Sequence, residues 1–142
     1  GKLLPELAGK LTGNSIRVPV PNVSMAILNL SLAVETTREE VNEFLRNISL
    51  SSSMQRQVGY TVSSEVVSSD FVGDRHAGIV DSEATIVDGK QVVIYVWYDN
   101  EFGYTCQVVR VGQKMANIKY PIIPLQSSSD KVEAVALKTA AS

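Results

Sequence analysis

The sequence predicts an α+β domain, close to the α/β class, in which a largely antiparallel mixed sheet carries helices on one face. Three observations lead there. The run Val92-Val93-Ile94-Tyr95-Val96-Trp97-Tyr98 is apolar, β-branched and aromatic, as a buried strand requires. Asp88-Gly89 just ahead of it is a two-residue hairpin signal that joins it to a second strand, Ile79 to Val87. Val41, Phe44, Leu45 and Ile48 recur at helical spacing behind Thr37 and Glu40, which have capping-box spacing.

Composition sets the outer limits. A chain of 142 residues with 44% hydrophobic and 20% charged content suits one globular domain. A net charge of −2 offers no electrostatic footprint for nucleic acid or for an anionic membrane. The longest apolar runs fall far short of the ~20 residues of a membrane span, and no basic-then-apolar leader opens the sequence. A cytoplasmic protein is the resulting expectation. The single cysteine, Cys106, cannot close an internal disulfide and belongs to no zinc or iron–sulfur ligand pattern, so no metal is expected.

In chain order, Gly1 to Gly13 reads as the tail of a helix and a turn, with Pro5 in a first turn and Gly9 and Gly13 as stops. Ser15 to Val34 reads as strand. Its alternation changes phase at Ile27-Leu28, which predicts a bulge or burial on both faces. Pro19 and Pro21 cannot donate ladder hydrogen bonds, so Arg17 to Asn22 should form an edge, bend or entry segment whose side chains face a site. Helix follows from Thr36 or Thr37 until the polar run Ser49 to Ser53 ends it. Gln57 to Thr61 and Glu65 to Phe71 read as short strands, and Gly73 to Gly78 as a turn. After the hairpin, the polar cluster Asp99-Asn100-Glu101 separates the second hairpin strand from a helix over Gly103 to Asn117. Open α/β proteins often gather ligand contacts at such a strand-to-helix junction.

The junction is also where the sequence resembles a known family. Trp97-Tyr98-Asp99-Asn100-Glu101-Phe102-Gly103-Tyr104 is similar to the signature near the C-terminus of glyceraldehyde-3-phosphate dehydrogenases, much of which erythrose-4-phosphate dehydrogenases share. Further words agree in the same order: Gly1-Lys2-Leu3-Leu4-Pro5-Glu6-Leu7, Gly9-Lys10-Leu11-Thr12-Gly13, Arg17-Val18-Pro19-Val20-Pro21-Asn22-Val23-Ser24, Gly59-Tyr60-Thr61 and Val66-Val67-Ser68-Ser69-Asp70-Phe71. The resemblance spans residues 1–117 and implies the C-terminal part of a dehydrogenase catalytic domain, the last part of a longer enzyme. Residues 118–142 depart from it and read as an extension, with Pro121, Pro124 and Ser127-Ser128-Ser129 ahead of a weakly amphipathic stretch.

Two readings stay open for each candidate site residue until the resemblance is applied. Arg17 presents a planar fork suited to phosphate, yet a surface salt bridge would use the same group. Asn100 can match a carboxamide with both a donor and an acceptor, yet asparagine also caps helices. The resemblance implies that Arg17 binds a phosphate of the substrate or the attacking inorganic phosphate. It likewise implies that Asn100 orients the nicotinamide carboxamide of NAD (or NADP) and that the Tyr104 ring lines that pocket. Asp99 reads as a helix cap and Glu101 as structural. The implied reaction is attack of a cysteine thiolate on a phosphorylated aldehyde, hydride transfer to the nicotinamide, and release by phosphate as an acyl phosphate. The family is typically tetrameric, so a homo-oligomer is implied too.

Catalytic residues are expected to lie outside this chain. Cys106 and His76 could in principle form a thiolate–imidazole pair. The family's nucleophile, however, sits in a Ser-Cys-Thr-Thr-Asn type word that is missing here, and its histidine partner lies upstream as well. Cys106 therefore reads as a packing residue and His76 as a turn residue. The Gly-x-Gly-x-x-Gly fingerprint is also missing, so most cofactor contacts must come from elsewhere. Two rivals remain: an erythrose-4-phosphate dehydrogenase part, and a non-catalytic binding or assembly module of the same fold.

Overall fold

The computed structural model describes residues 2–9 and 16–121. Four strands form one mixed sheet, β1 Ser24–Ser31, β2 Val58–Thr61, β3 Gly78–Asp88 and β4 Gln91–Tyr98, in the order β1-β4-β3-β2. The β1/β4 and β3/β4 pairs are antiparallel and β2/β3 is parallel. Among the described residues two helices complete it, α1 Arg38–Ser51 and α2 Phe102–Met115. The α+β class with a largely antiparallel sheet is as the sequence predicts.

Helix α1 begins where the capping box places it: the Thr37 side chain accepts from the Glu40 N–H, and the Glu40 carboxylate accepts from the Thr37 N–H at 3.0 Å. Val41 and Leu45 pack on a core of Val80, Val92 and Ile94, which points to one side of the β3–β4 hairpin. The other side of the sheet holds a second cluster, Val23, Phe71 and Ile79, with Trp97 stacked on Phe71 at 5.4 Å between ring centroids. The Trp97 indole N–H donates to the Asp81 carboxylate at 3.1 Å. Trp97→Phe keeps the ring stack and removes that bond, so it should cost about 1–2 kcal/mol in a denaturant melt. An unchanged midpoint would mean that water replaces the indole at Asp81.

The hairpin turn lies one residue later than the Asp88-Gly89 signal implies. Asp88 still pairs with Gln91, so the two-residue loop is Gly89-Lys90, and Gly89 takes the positive φ of 57° that a turn of this kind needs at its first central position. Between Asp81 and Ile86 the β3/β4 register shifts in a bulge. Arg38 and Asn42 of α1 hold it by donating to the Ser82 carbonyl at 2.9 and 3.1 Å.

Three local readings need correction. Of the stretch Ser15 to Val34, Ser15 falls outside the described residues and the rest is strand only over Ser24–Ser31, where β1 pairs with β4 residue by residue without a bulge. It is an edge strand whose Ile27 and Leu28, on opposite faces, are 53% and 43% exposed, so the phase change reflects two open faces rather than two buried ones. Glu65 to Phe71 contains no strand: Ser68–Phe71 is a 3-10 turn, because the Asp70 carboxylate accepts from the Val67 N–H at 2.9 Å. That local bond outweighs the strand preference of Val66-Val67. At the start, Pro5–Leu7 is a 3-10 turn with Pro5 in its first position, while Gly13 falls outside the described residues. Helix α2 gives way at Asn117, which takes φ 56°. Residues 122–142, most of the expected extension, also fall outside the described residues.

Candidate functional site

The polar cluster after β4 is built around Asp99. Its side chain is 2% exposed. One carboxylate oxygen accepts from the N–H groups of Glu101 and Phe102 at 2.9 and 2.8 Å, and the other from the Gly73 N–H at 2.8 Å. Burial pushes the carboxyl pKa up. The donations from Gly73, Phe102 and Glu101, joined by the Asn22 side chain, outweigh that and hold it at about 2 against an ordinary 3.8. Asp99 therefore caps α2, as expected, and also ties the 73–77 turn to the strand end.

With Asp99 as cap, Asn100 is released from that duty. It is exposed, and its carbonyl oxygen accepts a long 3.4 Å bond from the Ser24 hydroxyl, which comes from the first residue of β1. Tyr104, in the first turn of α2, is 67% exposed. Gly103 beside it is buried because the turn backbone lies against it: a Cβ there would sit 2.8 Å from the His76 carbonyl oxygen. Ala77, Tyr98, Asp99, Asn100, Tyr104 and Gln107 line a cleft of about 420 Å³. That volume falls within the ~300–1,000 Å³ of small-ligand sites.

The structure brings Asn100 and Tyr104 into one cleft and leaves Arg17 outside its lining. Arg17 is exposed and makes no hydrogen bond or ion pair with a described residue. It precedes a tight bend around Pro19, in which the Val20 N–H reaches the Val18 carbonyl at 2.9 Å. The chain then passes Asn22, whose side chain helps to lower the Asp99 pKa, and Val23, whose φ of 72° turns it into β1. The entry segment predicted from Pro19 and Pro21 is thus delivered to the rim of the junction.

Cys106 and His76 form no pair among the described residues. The His76 ring nitrogen Nδ1 lies 2.7 Å from the Asp74 carboxylate, and the ring lies against Gly59. Among the described residues no three His, Cys, Asp or Glu side chains are grouped to hold a metal. No described helix is long and apolar enough to cross a membrane. Sequence reasoning missed Ala77 and Gln107 as cleft residues. Tyr98 lay within the signature, whereas nothing around Ala77 or Gln107 marks them.

A family model for the C-terminal domain of glyceraldehyde 3-phosphate dehydrogenase matches residues 1–100. The chain belongs to this family. A glyceraldehyde-3-phosphate dehydrogenase-like protein of Pseudomonas aeruginosa (strain UCBPP-PA14) is 63% identical over 123 residues, 87% of this chain and 27% of that protein. Glyceraldehyde-3-phosphate dehydrogenase 1 of Kluyveromyces lactis is 45% identical over 117 residues, 82% of this chain and 35% of that enzyme. The glyceraldehyde-3-phosphate dehydrogenase of Borreliella burgdorferi is 44% identical over 117 residues, 81% of this chain and 35% of that enzyme. The chain thus spans about a third or less of these dehydrogenase relatives.

Proposed function

We propose that this chain supplies the phosphate-binding arginine and one wall of the nicotinamide pocket of a phosphorylating, NAD(P)-dependent glyceraldehyde-3-phosphate dehydrogenase. The observation that carries it is the cleft in which an exposed Asn100 amide, held only by a long bond from Ser24, stands beside an exposed Tyr104 ring. Among the described hydrogen bonds the Asn100 NH2 makes none, so donor and acceptor both remain for a carboxamide. The cleft fits that end of a nicotinamide nucleotide. The pyrophosphate is assigned to other segments, because this sequence lacks the glycine fingerprint. When bound, such a cofactor accepts hydride from the substrate carbon. The residues of this chain bind and orient: Asn100 the carboxamide, Tyr104 the ring, and Arg17 a phosphate of the aldehyde or inorganic phosphate. The likeness to a relative named cytosolic supports a cytoplasmic setting.

A chimera that replaces the matching part of the Kluyveromyces lactis relative with this chain tests the reading. Arg17→Ala should lower phosphate-dependent turnover by tens to hundreds of fold, since truncating a charged contact to phosphate costs roughly 2–4 kcal/mol. Its melting temperature should stay put. Unchanged kinetics with lowered stability would make Arg17 a salt-bridge residue. The 142-residue chain by itself should form no NADH from glyceraldehyde 3-phosphate, NAD and phosphate. NADH formation there would overturn the assignment of catalytic groups to other segments, and a dead wild-type chimera that folds would favour a non-catalytic module.

Self-association belongs to the same proposal. Ile27, Val93, Tyr95 and Ile86 share the sheet face turned away from α1, where Ile27 and Ile86 are 53% and 54% exposed. Such a face suits contact between copies. Sedimentation should show dimers or larger species that Ile27→Lys disperses. A compact monomer at high concentration would count against it.

A further inference from the structure

Gln107 stands in the cleft lining with every polar atom of its side chain engaged. Its Nε2 donates to the Arg75 carbonyl at 3.1 Å and to the Gly103 carbonyl at 3.0 Å. Its Oε1 accepts from the Arg110 guanidinium. These partners fix the amide orientation, because a flipped amide would set its NH2 against a cation and its carbonyl against two carbonyls. One side chain thus ties the first turn of α2 to the turn that carries Ala77. Asn100 and Tyr104 stand at the helix entrance, and Ala77, two residues after Arg75, lines the same cleft.

We infer that Gln107 is a positioning residue which holds the 75–77 wall at a set distance from Asn100 and Tyr104, and so sets the width of the cleft for a flat aromatic carboxamide. The part concerning the ligand rests on the nicotinamide reading above. The tie itself does not.

Two substitutions separate the bonds from the packing. Gln107→Glu removes the donor and turns a carboxylate toward two carbonyls. Gln107→Met keeps the volume and removes all three bonds. The Ala77 N–H, which donates to the Gln57 carbonyl at 2.7 Å, reports on the wall. In the 142-residue chain, both variants should speed hydrogen exchange at Ala77 about tenfold and leave the amides of Val92 and Ile94 in the sheet unchanged. Equal acceleration at all of these amides would make Gln107 a general stability residue, and unchanged exchange at Ala77 in folded variants would remove the tie; either result overturns the inference. In the Kluyveromyces lactis chimera, the same variants should raise KM for NAD about tenfold with kcat within twofold, a split that a loss of global stability does not produce. An unchanged KM would overturn the ligand half. If the folded wild-type chimera lacks NAD-dependent turnover while Ala77 exchange still responds, the nicotinamide reading fails, the ligand half fails with it, and the tie stands.

Discussion

Asp99→Ala is expected to lower the melting temperature by roughly 10 °C, the largest loss from any single polar side chain in the described structure. Three backbone N–H groups, of Gly73, Glu101 and Phe102, end on this carboxylate in a place that water does not reach. Removing the acceptor leaves all three without a partner, at on the order of 1 kcal/mol or more each. Asp99→Asn tests the charge more finely. The amide keeps one accepting oxygen, but its NH2 then faces either the Gly73 N–H or the two helix N–H groups, so about 2 kcal/mol should still be lost. Acid should expose the same dependence. The folded pKa of about 2 lies below the ordinary 3.8, so between those values the unfolded chain binds more protons than the folded one. The stability from this group is therefore complete above pH ~4 and is lost as pH falls toward 2. Melts across that range should fall less steeply for Asp99→Asn than for wild type. Parallel curves would show that the carboxylate is held no more tightly in the fold than in the unfolded chain.

The second large effect is a difference of sign within one helix. Gly103→Ala and Gly112→Ala both replace a helical glycine, and intrinsic propensity favours alanine at each by about 1 kcal/mol. At Gly112 an added Cβ meets nothing within 4 Å, so stabilisation should be realised. At Gly103 it meets the His76 carbonyl oxygen at 2.8 Å, with the Asp74 carbonyl at 3.5 Å behind it. A backbone oxygen in a braced turn cannot swing aside, and forced overpacking of this kind costs about 1–3 kcal/mol. The two variants should thus part by roughly 1–3 kcal/mol, Gly112→Ala melting above wild type and Gly103→Ala at or below it. Equal gains would mean that the turn over Asp74 to Ala77 yields easily and cannot serve as a fixed wall.

What the sequence disclosed follows the reach of the interactions concerned. The Thr37/Glu40 capping box and the Asp88-Gly89 turn act over a few residues, and both were readable, the turn to within one position. The strand-to-helix junction was readable because apolar and polar runs change abruptly at Asp99. Its anchoring was not, since Gly73 donates to Asp99 from another turn and no local pattern records that. The false strand at Glu65 to Phe71 came from weighing β-branched residues over the back-bonding of Asp70. The edge position of β1 is set by which strands pair, and alternation alone cannot distinguish a strand apolar on both faces because it is buried from one that is bare on both. Gln107 carries no periodic signal at all, for its role lies in three partners that only the fold assembles.

Val23 links the core to the rim of the cleft as a loaded spring would. A β-branched residue at φ 72° costs about 1–3 kcal/mol, and the strain persists because the Val23 side chain is clamped under Phe71 and Ile79. Its two neighbours are Asn22, whose side chain helps to lower the Asp99 pKa, and Ser24, which bonds Asn100 and pairs with Tyr98. The grip on Val23 therefore aims both residues at the site. Phe71 and Ile79, which line no part of the cleft, bear mechanically on its polar end, and loosening either would let the backbone at Val23 relax and carry Asn22 and Ser24 away with it.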